Sequence, residues 1–234
     1  MGRLLLFGAG GAIGSAIAAY AVQQGFEVVG TGRKAPDSSS SNPRRYTYIQ
    51  YSGEADSAAL AASGPYDAVC WAQGANAGDS VYNVDIDKHH ELYDANCAYI
   101  LASLRLLLER GLLTSPARMV VLSSIWQTIA RQDKLSYTMS KAALQGFVHS
   151  AALDLGRDGH LINIVMPGVL DTPMTRANLK PEQLARVIDA TFFGRLATPD
   201  DVASLVCYLC SKQNNSITGQ SIAVDLGFSN AHML

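Results

Sequence analysis

The chain of 234 residues is 48% hydrophobic and 16% charged, enough apolar material to bury one substantial α/β core. Its 18 basic and 20 acidic residues leave a formal net charge of -2, without the basic stripe that a nucleic-acid partner calls for. No stretch is apolar for long enough to span a bilayer, so no membrane partner is expected.

The first apolar run, Leu4 to Phe7, is too short for a signal-peptide core and reads as a buried strand over Arg3–Phe7. The myristoylation pattern fails because Leu6 stands where Ser or Thr is needed. Gly8-Ala9-Gly10-Gly11-Ala12-Ile13-Gly14 follows at once, and a helix is predicted over Ala12–Gln24. Glycines let the backbone turn tightly and approach a pyrophosphate, while the helix start offers free N–H groups and partial positive charge. The strict G-x-G-x-x-G spacing fails at Ile13; the spacing Gly8, Gly11, Gly14 is present instead.

A second strand, Glu27–Thr31, runs into Gly32-Arg33-Lys34. Dinucleotide folds that take NAD place an acidic residue here; this chain has Arg33 and Lys34. A guanidinium suits a 2′-phosphate, so NADP(H) is favoured over NAD(H), against the plainer reading of two solvated loop cations. The polar stretch Asp37 to Pro43 reads as a loop.

Further strands are predicted over Tyr46–Gln50, Ala68–Ala72, Arg118–Ser123, Leu161–Val165 and Ser221–Val224. Helices are predicted over Ala55–Ser63, Lys88–Arg110, Tyr137–Arg157 and Asp200–Ser211. Continuous apolar strands alternating with helices specify an α/β, Rossmann-type, doubly wound parallel sheet of about seven strands, in a single domain over 1–234. The segment 172–198 breaks this rhythm with Pro173 and Pro181 and reads as a substrate lid. Its Arg176 and Lys180 suit an anionic substrate or plain solvation. Cys207 and Cys210 share a helix with no second Cys/His pair, so they read as buried apolar residues rather than a metal site. Reduced thiols then point to the cytoplasm.

The chemistry gathers around Tyr137 and Lys141, four apart and on one helix face. A phenol titrates near about 10, and a neighbouring ammonium favours its phenolate, which makes a proton donor usable nearer neutral pH. Ser124 stands at a strand end, where open α/β sheets bind ligands. Alone, a Tyr-x-x-x-Lys spacing usually marks an exposed helical pair; the glycine turn and the strand-end serine give it weight. Trp126 reads equally as pocket lining or as core.

On these residues the chain resembles the short-chain dehydrogenase/reductase family, in its compact single-domain branch, over nearly its whole length. Ser124, Tyr137 and Lys141 resemble the family's serine and Tyr-x-x-x-Lys, and Asn96 in Asp94-Ala95-Asn96-Cys97 resembles its helix asparagine. Pro167, Gly168, Val169 and Thr172 resemble the loop that contacts the nicotinamide half, and Gly194-Arg195 with Pro199 to Ala203 resembles the segment before the last long helix. Ile217 to Gln220 and Val224-Asp225 resemble the C-terminal strand region.

The resemblance implies hydride transfer between a nicotinamide cofactor and a small carbonyl or alcohol substrate. Tyr137 would exchange the proton, Lys141 would lower its pKa and hold the ribose, Ser124 would polarise the substrate oxygen, and Asn96 would support a water relay. Cofactor contacts are implied at Gly8, Gly11, Ala12, Ile13, Gly14, Ala72 and Gly74 as well, and assembly as a homodimer or homotetramer. Ala12 replaces a usual glycine, Trp71-Ala72-Gln73-Gly74 replaces the familiar Asn-Asn-Ala-Gly, and Gln50-Tyr51-Ser52 lacks the usual acid. Rival readings are a non-catalytic NADP(H) sensor and a nucleotide-sugar epimerase or dehydratase. Retention of Asn96, Ser124, Tyr137 and Lys141 counts against the first, and the lack of room for a substrate domain against the second.

Overall fold

Leu4, Leu5, Leu6 and Phe7 are all fully buried, which a strand achieves only when helices cover both faces of its sheet. The computed structural model describes residues 2–32, 47–50 and 57–230. Within them seven strands form one parallel sheet: β1 (Arg3–Phe7), β2 (Glu27–Gly32), β3 (Thr47–Gln50), β4 (Tyr66–Trp71), β5 (Leu113–Leu122), β6 (Leu161–Pro167) and β7 (Ser221–Val224). Their order is β3-β2-β1-β4-β5-β6-β7. All six pairings are parallel. This is the Rossmann-type doubly wound sheet, and its order reverses between β1 and β4. The crevice at the carboxyl ends of those strands is where such sheets take their ligands.

The helices are α1 (Ala12–Gln23), α2 (Ser57–Ser63), α3 (Ile86–Tyr93), α4 (Tyr99–Glu109), α5 (Leu135–Leu155), α6 (Pro173–Asn178), α7 (Pro181–Asp189) and α8 (Pro199–Cys210). Alternate strand residues divide the core in two. Leu5, Phe7, Val69, Trp71, Met119 and Val121 pack with Ile100, Leu104 and Leu107 of α4 and Leu144 and Val148 of α5. Leu4, Leu6, Ala68, Cys70, Val120 and Leu122 pack on the other face with Ile17 and Ala21 of α1 and Val202, Val206 and Leu209 of α8. Each fully buried leucine contributes about 1.5–3 kcal/mol of transfer free energy.

Three differences from the sequence expectation have local causes. The helix expected over Lys88–Arg110 is α3 and α4 joined by a π-helical turn, Asp94–Ala98, and it begins earlier because Asp85 caps it, accepting from Asp87 N and Lys88 N. Strands β4 and β5 begin earlier than expected because Tyr66 pairs with Leu113 and donates its N–H to Leu112 O at 2.8 Å. The segment 172–198 carries α6 and α7, each opened by a proline where a missing N–H costs nothing.

Cys207 and Cys210 are buried and free, and among the described residues no group of three or more His, Cys, Asp or Glu could hold a metal. Among the same residues no helix is long and apolar enough to cross a membrane. Arg33 and Lys34 lie outside the described residues.

Candidate active site

The β1–α1 turn is shaped by close backbone approach. Gly8 has φ +78, and a Cβ there would lie 2.6 Å from Gln73 N. At Gly14 a Cβ would run into the Gly8 carbonyl oxygen. The N–H groups of Gly8 and Ala9 donate to Thr31 O at 2.9 and 3.1 Å, which ties the turn to the end of β2. Gly11 is the N-cap of α1, with no side-chain capping bond, and no acid stands in the first turn. The first N–H groups of α1 are therefore left for solvent or an anion, and the turn fits the pyrophosphate of a dinucleotide. Ala12 opens α1 as an ordinary helical residue, which is why no glycine is required there. Ile13 is half-buried against the α1 side of the core.

Across the crevice, β4 leads into Ala72, Gln73 and Gly74. A Cβ on Gly74 would lie 3.2 Å from Asn96 Oδ1 and 3.5 Å from Lys141 Nζ, so these three residues form one cluster. Asn96 sits in the π turn and is fully buried. Its Oδ1 accepts from Ala75 N at 2.7 Å, and its Nδ2 donates to Ala75 O at 3.0 Å and Ser140 Oγ at 2.9 Å. The wider π turn brings this amide inward onto the Gly74-Ala75 backbone, the kind of helix irregularity that recurs at functional sites.

Ser124 follows β5. Its Oγ accepts from Trp126 N at 3.3 Å and meets the Tyr137 hydroxyl from the first turn of α5. Lys141, one turn further along α5, is 4% exposed. Its Nζ donates to Leu122 O at 3.0 Å and stands over the Tyr137 ring, 5.8 Å from the centroid. Burial lowers the Lys141 pKa to about 8, against a small upward pull from Cys97. Burial raises the Tyr137 phenol above its ordinary value, and the hydrogen bond with Ser124 opposes that rise. The ammonium covers the ring face and gives its hydrogen bond to a backbone carbonyl, so desolvation governs the phenol.

The loop after β6 leaves the sheet at the carboxyl ends of the strands. Pro167 is buried, Gly168 N donates to Val224 O at 3.0 Å, and Val169 is half-buried. Thr172 caps α6, its Oγ1 accepting from Thr175 N at 3.2 Å. Arg195 bridges to Asp201, which completes a capping box with Thr198 at the start of α8. The Gly194-Arg195 and Pro199–Ala203 segments are accordingly joined by an anchor for α8. The crevice thus gathers Gly8, Gly74, Asn96, Ser124, Tyr137 and Lys141, whereas Thr172 Oγ1 is engaged in its cap.

Two contributors escaped the sequence reading. Lys134 Nζ lies 5.9 Å from the Tyr137 ring centroid and donates to Asn76 Oδ1 and Ala77 O, both at 2.8 Å. Its position three residues before Tyr137 on a helix was the available signal. Ser140 joins Asn96 to α5, for which the sequence offers no signal. Trp126 stacks edge-on against Phe228 at 6.3 Å, with the Arg131 guanidinium 5.7 Å from its ring centroid.

The family model described as enoyl-(acyl carrier protein) reductase matches residues 54–229, well over half of the chain. The 3-oxoacyl-acyl-carrier-protein reductase FabG of Salmonella typhimurium is 26% identical over 235 residues, covering 95% of this chain and 95% of that protein. An NADP(+)-linked L-rhamnose 1-dehydrogenase of Thermoplasma acidophilum is 34% identical over 111 residues, covering 47% of this chain and 44% of its own. Among solved structures, ligand-free aldohexose dehydrogenase of Thermoplasma acidophilum superposes with a TM-score of 0.85 at 23% identity, over 99% of this chain and 95% of that one; at that identity the likeness is one of fold. With the family matched over this much of its length and the seven-stranded sheet in place, the chain belongs to the short-chain dehydrogenase/reductase family, whose members are nicotinamide-dependent carbonyl/alcohol oxidoreductases.

Proposed function

We propose that the protein is an NADPH-dependent carbonyl reductase in which Tyr137 delivers the proton to the substrate oxygen. The observation that carries this reading is the meeting of the Ser124 and Tyr137 hydroxyls beside a buried Lys141 at the carboxyl ends of the strands. When bound, the nicotinamide dinucleotide supplies the hydride to the substrate carbon. Gly8, Gly11, Ala12, Ile13 and Gly14 would hold its pyrophosphate at the uncapped start of α1. Ala72, Gly74, Pro167, Gly168, Val169 and Thr172 would line its path to Tyr137 and Lys141.

Ser124 donates a hydrogen bond to the substrate carbonyl and orients it toward Tyr137. Tyr137 donates its phenolic proton to that oxygen as negative charge develops there. The tyrosinate left behind is stabilised by the Ser124 hydroxyl and by Lys141 in its ammonium form, and reprotonation from solvent closes the cycle. Asn96 holds the Gly74-Ala75 backbone against Lys141 and supports that proton path through water.

Preference for NADPH rests on Arg33 and Lys34, which follow β2 directly in the sequence, where a 2′-phosphate needs cationic donors. The NADP(+) linkage named for the rhamnose dehydrogenase relative supports it. We read 1–234 as one domain and 172–198 as a lid over the substrate. Met174, Phe192 and Phe193 are exposed there, and Phe192 N donates to Leu226 O close to Phe228 and Trp126. Exposed apolar side chains in this segment suit a partly apolar substrate. Exposed Tyr93, Leu101 and Leu108 on α3 and α4, with Leu153 on α5, support pairing with a second copy as a dimer or tetramer. The free cysteines accord with a cytoplasmic setting.

The test is NADPH oxidation, followed by absorbance, over a panel of ketones and aldehydes. Carbonyl-dependent oxidation that disappears in Tyr137→Phe supports the reading. Oxidation that survives in that variant removes Tyr137 as the proton donor.

A further inference from the structure

The Trp71-to-Gly74 segment departs from its family's usual sequence, and the structure gives that departure a physical signature. Gln73 carries a primary amide whose Nε2 and Oε1 are both buried without a hydrogen-bond partner. Among the described residues no other side chain leaves two polar atoms in that condition. Buried polar groups are almost always paired, because water's hydrogen bonds are lost without replacement. A neighbouring indole shows the usual solution: Trp71 Nε1 donates to Ser103 Oγ at 2.8 Å.

The location of Gln73 is as informative as its unpaired amide. Its backbone packs on the glycine turn so closely that a Cβ at Gly8 would lie 2.6 Å from its N and 2.8 Å from its Cα. The next residue, Gly74, abuts Asn96 Oδ1 and Lys141 Nζ. Gln73 therefore stands between the phosphate turn and the Tyr137–Lys141 pair, beside the route of a dinucleotide that spans them. No hydrogen bond holds its amide where it lies, so swinging it into the crevice breaks no bond and relieves both desolvated atoms.

We propose that Gln73 is a cofactor-positioning residue whose amide turns to hydrogen-bond the ribose–phosphate backbone of the bound dinucleotide. Nε2 donates to a phosphate or ribose oxygen, and Oε1 accepts from a ribose hydroxyl. The inference rests on the oxidoreductase reading above. It places the contact on the part that NADPH, NADH and ADP-ribose share, so it predicts tighter binding of all three without discrimination by the 2′-phosphate.

Fluorescence titration of NADPH and NADH, and calorimetric titration of ADP-ribose, against wild type, Gln73→Met and Gln73→Ala tests this. Gln73→Met keeps the length of the side chain and removes both hydrogen-bonding atoms. The expected result is about tenfold weaker binding of all three probes, equivalent to about 1.4 kcal/mol. The ligand-free melting temperature should be unchanged or higher, since an unpaired buried amide has been removed. Affinities within twofold of wild type in both variants overturn the role of Gln73 while leaving the oxidoreductase reading intact. A loss confined to NADPH and NADH, with ADP-ribose unaffected, also overturns it, because the contact would then lie on the nicotinamide side. Failure of the folded wild type to bind any of the three removes the oxidoreductase reading itself and this inference with it.

Discussion

The ammonium of Lys141 stands over the face of the Tyr137 ring, 5.8 Å from its centroid. Both side chains are desolvated, and desolvation acts on them in opposite senses: it favours the neutral amine of Lys141 and the neutral phenol of Tyr137. Charge in this pocket is thus costly until substrate and cofactor chemistry give it a partner, as expected where catalysis is set against stability.

That cost is measurable. The Lys141 pKa is lowered to about 8 in the folded protein, against about 10.4 for an unfolded lysine. The unfolded state therefore binds more protons between those values, so the Lys141 contribution to stability rises with pH across that window. Below it, the buried ammonium costs about 3 kcal/mol. Lys141→Met should be inactive yet more stable than wild type near about pH 7, with the gap narrowing toward about pH 10. Urea denaturation of both proteins across that range reads it, and a stability gap independent of pH would contradict the burial account of Lys141.

Tyr137→Phe removes the proton donor while keeping the ring beneath Lys141. Turnover should fall by about 10²–10⁴-fold or more, the ordinary size of a general-acid contribution. The Kd for NADPH should stay within about twofold, because a change made only at the reacting oxygen leaves ground-state cofactor contacts in place. Stopped-flow measurement of the chemical step beside a binding titration separates the two. A parallel loss of affinity would mean that the hydroxyl serves cofactor binding rather than proton transfer.

The sheet was legible because its determinants are local. Leu4 to Phe7 form an unbroken apolar run, and only a strand covered on both faces uses one. Tyr137 and Lys141 were legible because one helical turn joins them. The break between α3 and α4 was not, since the groups that draw Asn96 inward, Ala75 and Ser140, are 21 and 44 residues away in sequence. The early start of β4 was hidden for a similar reason. Asp67 looks like a loop residue until its carboxylate accepts from Arg3 N at 2.7 Å across the sheet. The unpaired amide of Gln73 is a property of its surroundings, which no spacing rule encodes.

Arg33→Ala should weaken NADPH binding more than NADH binding. The assignment rests on sequence position directly after β2 and on charge, since Arg33 lies outside the described residues. A charge-assisted hydrogen bond to phosphate contributes about 1.5–3 kcal/mol, so the loss of NADPH affinity should be about ten- to a hundredfold, with NADH changed little. Parallel fluorescence titrations measure both. Equal losses for the two cofactors would assign Arg33 to the shared part of the dinucleotide, or to the loop alone.

Asn96→Leu separates positioning from packing. Leucine has the same number and branching of side-chain heavy atoms as asparagine, yet it cannot pair Ala75 N, Ala75 O or Ser140 Oγ, all of which the Asn96 amide now satisfies. Each buried group left unpaired costs about 1–3 kcal/mol. Some will find water, so we expect a net loss of about 2–4 kcal/mol, read as a lower midpoint in urea. Turnover should fall further than the folded fraction alone explains, because the Gly74-Ala75 backbone then loses its hold beside Lys141. Asn96→Asp keeps the acceptor for Ala75 N but loses both amide donors, so it should recover only part of the stability. Unchanged stability in Asn96→Leu would mean that the π turn is held by backbone and core packing rather than by this amide.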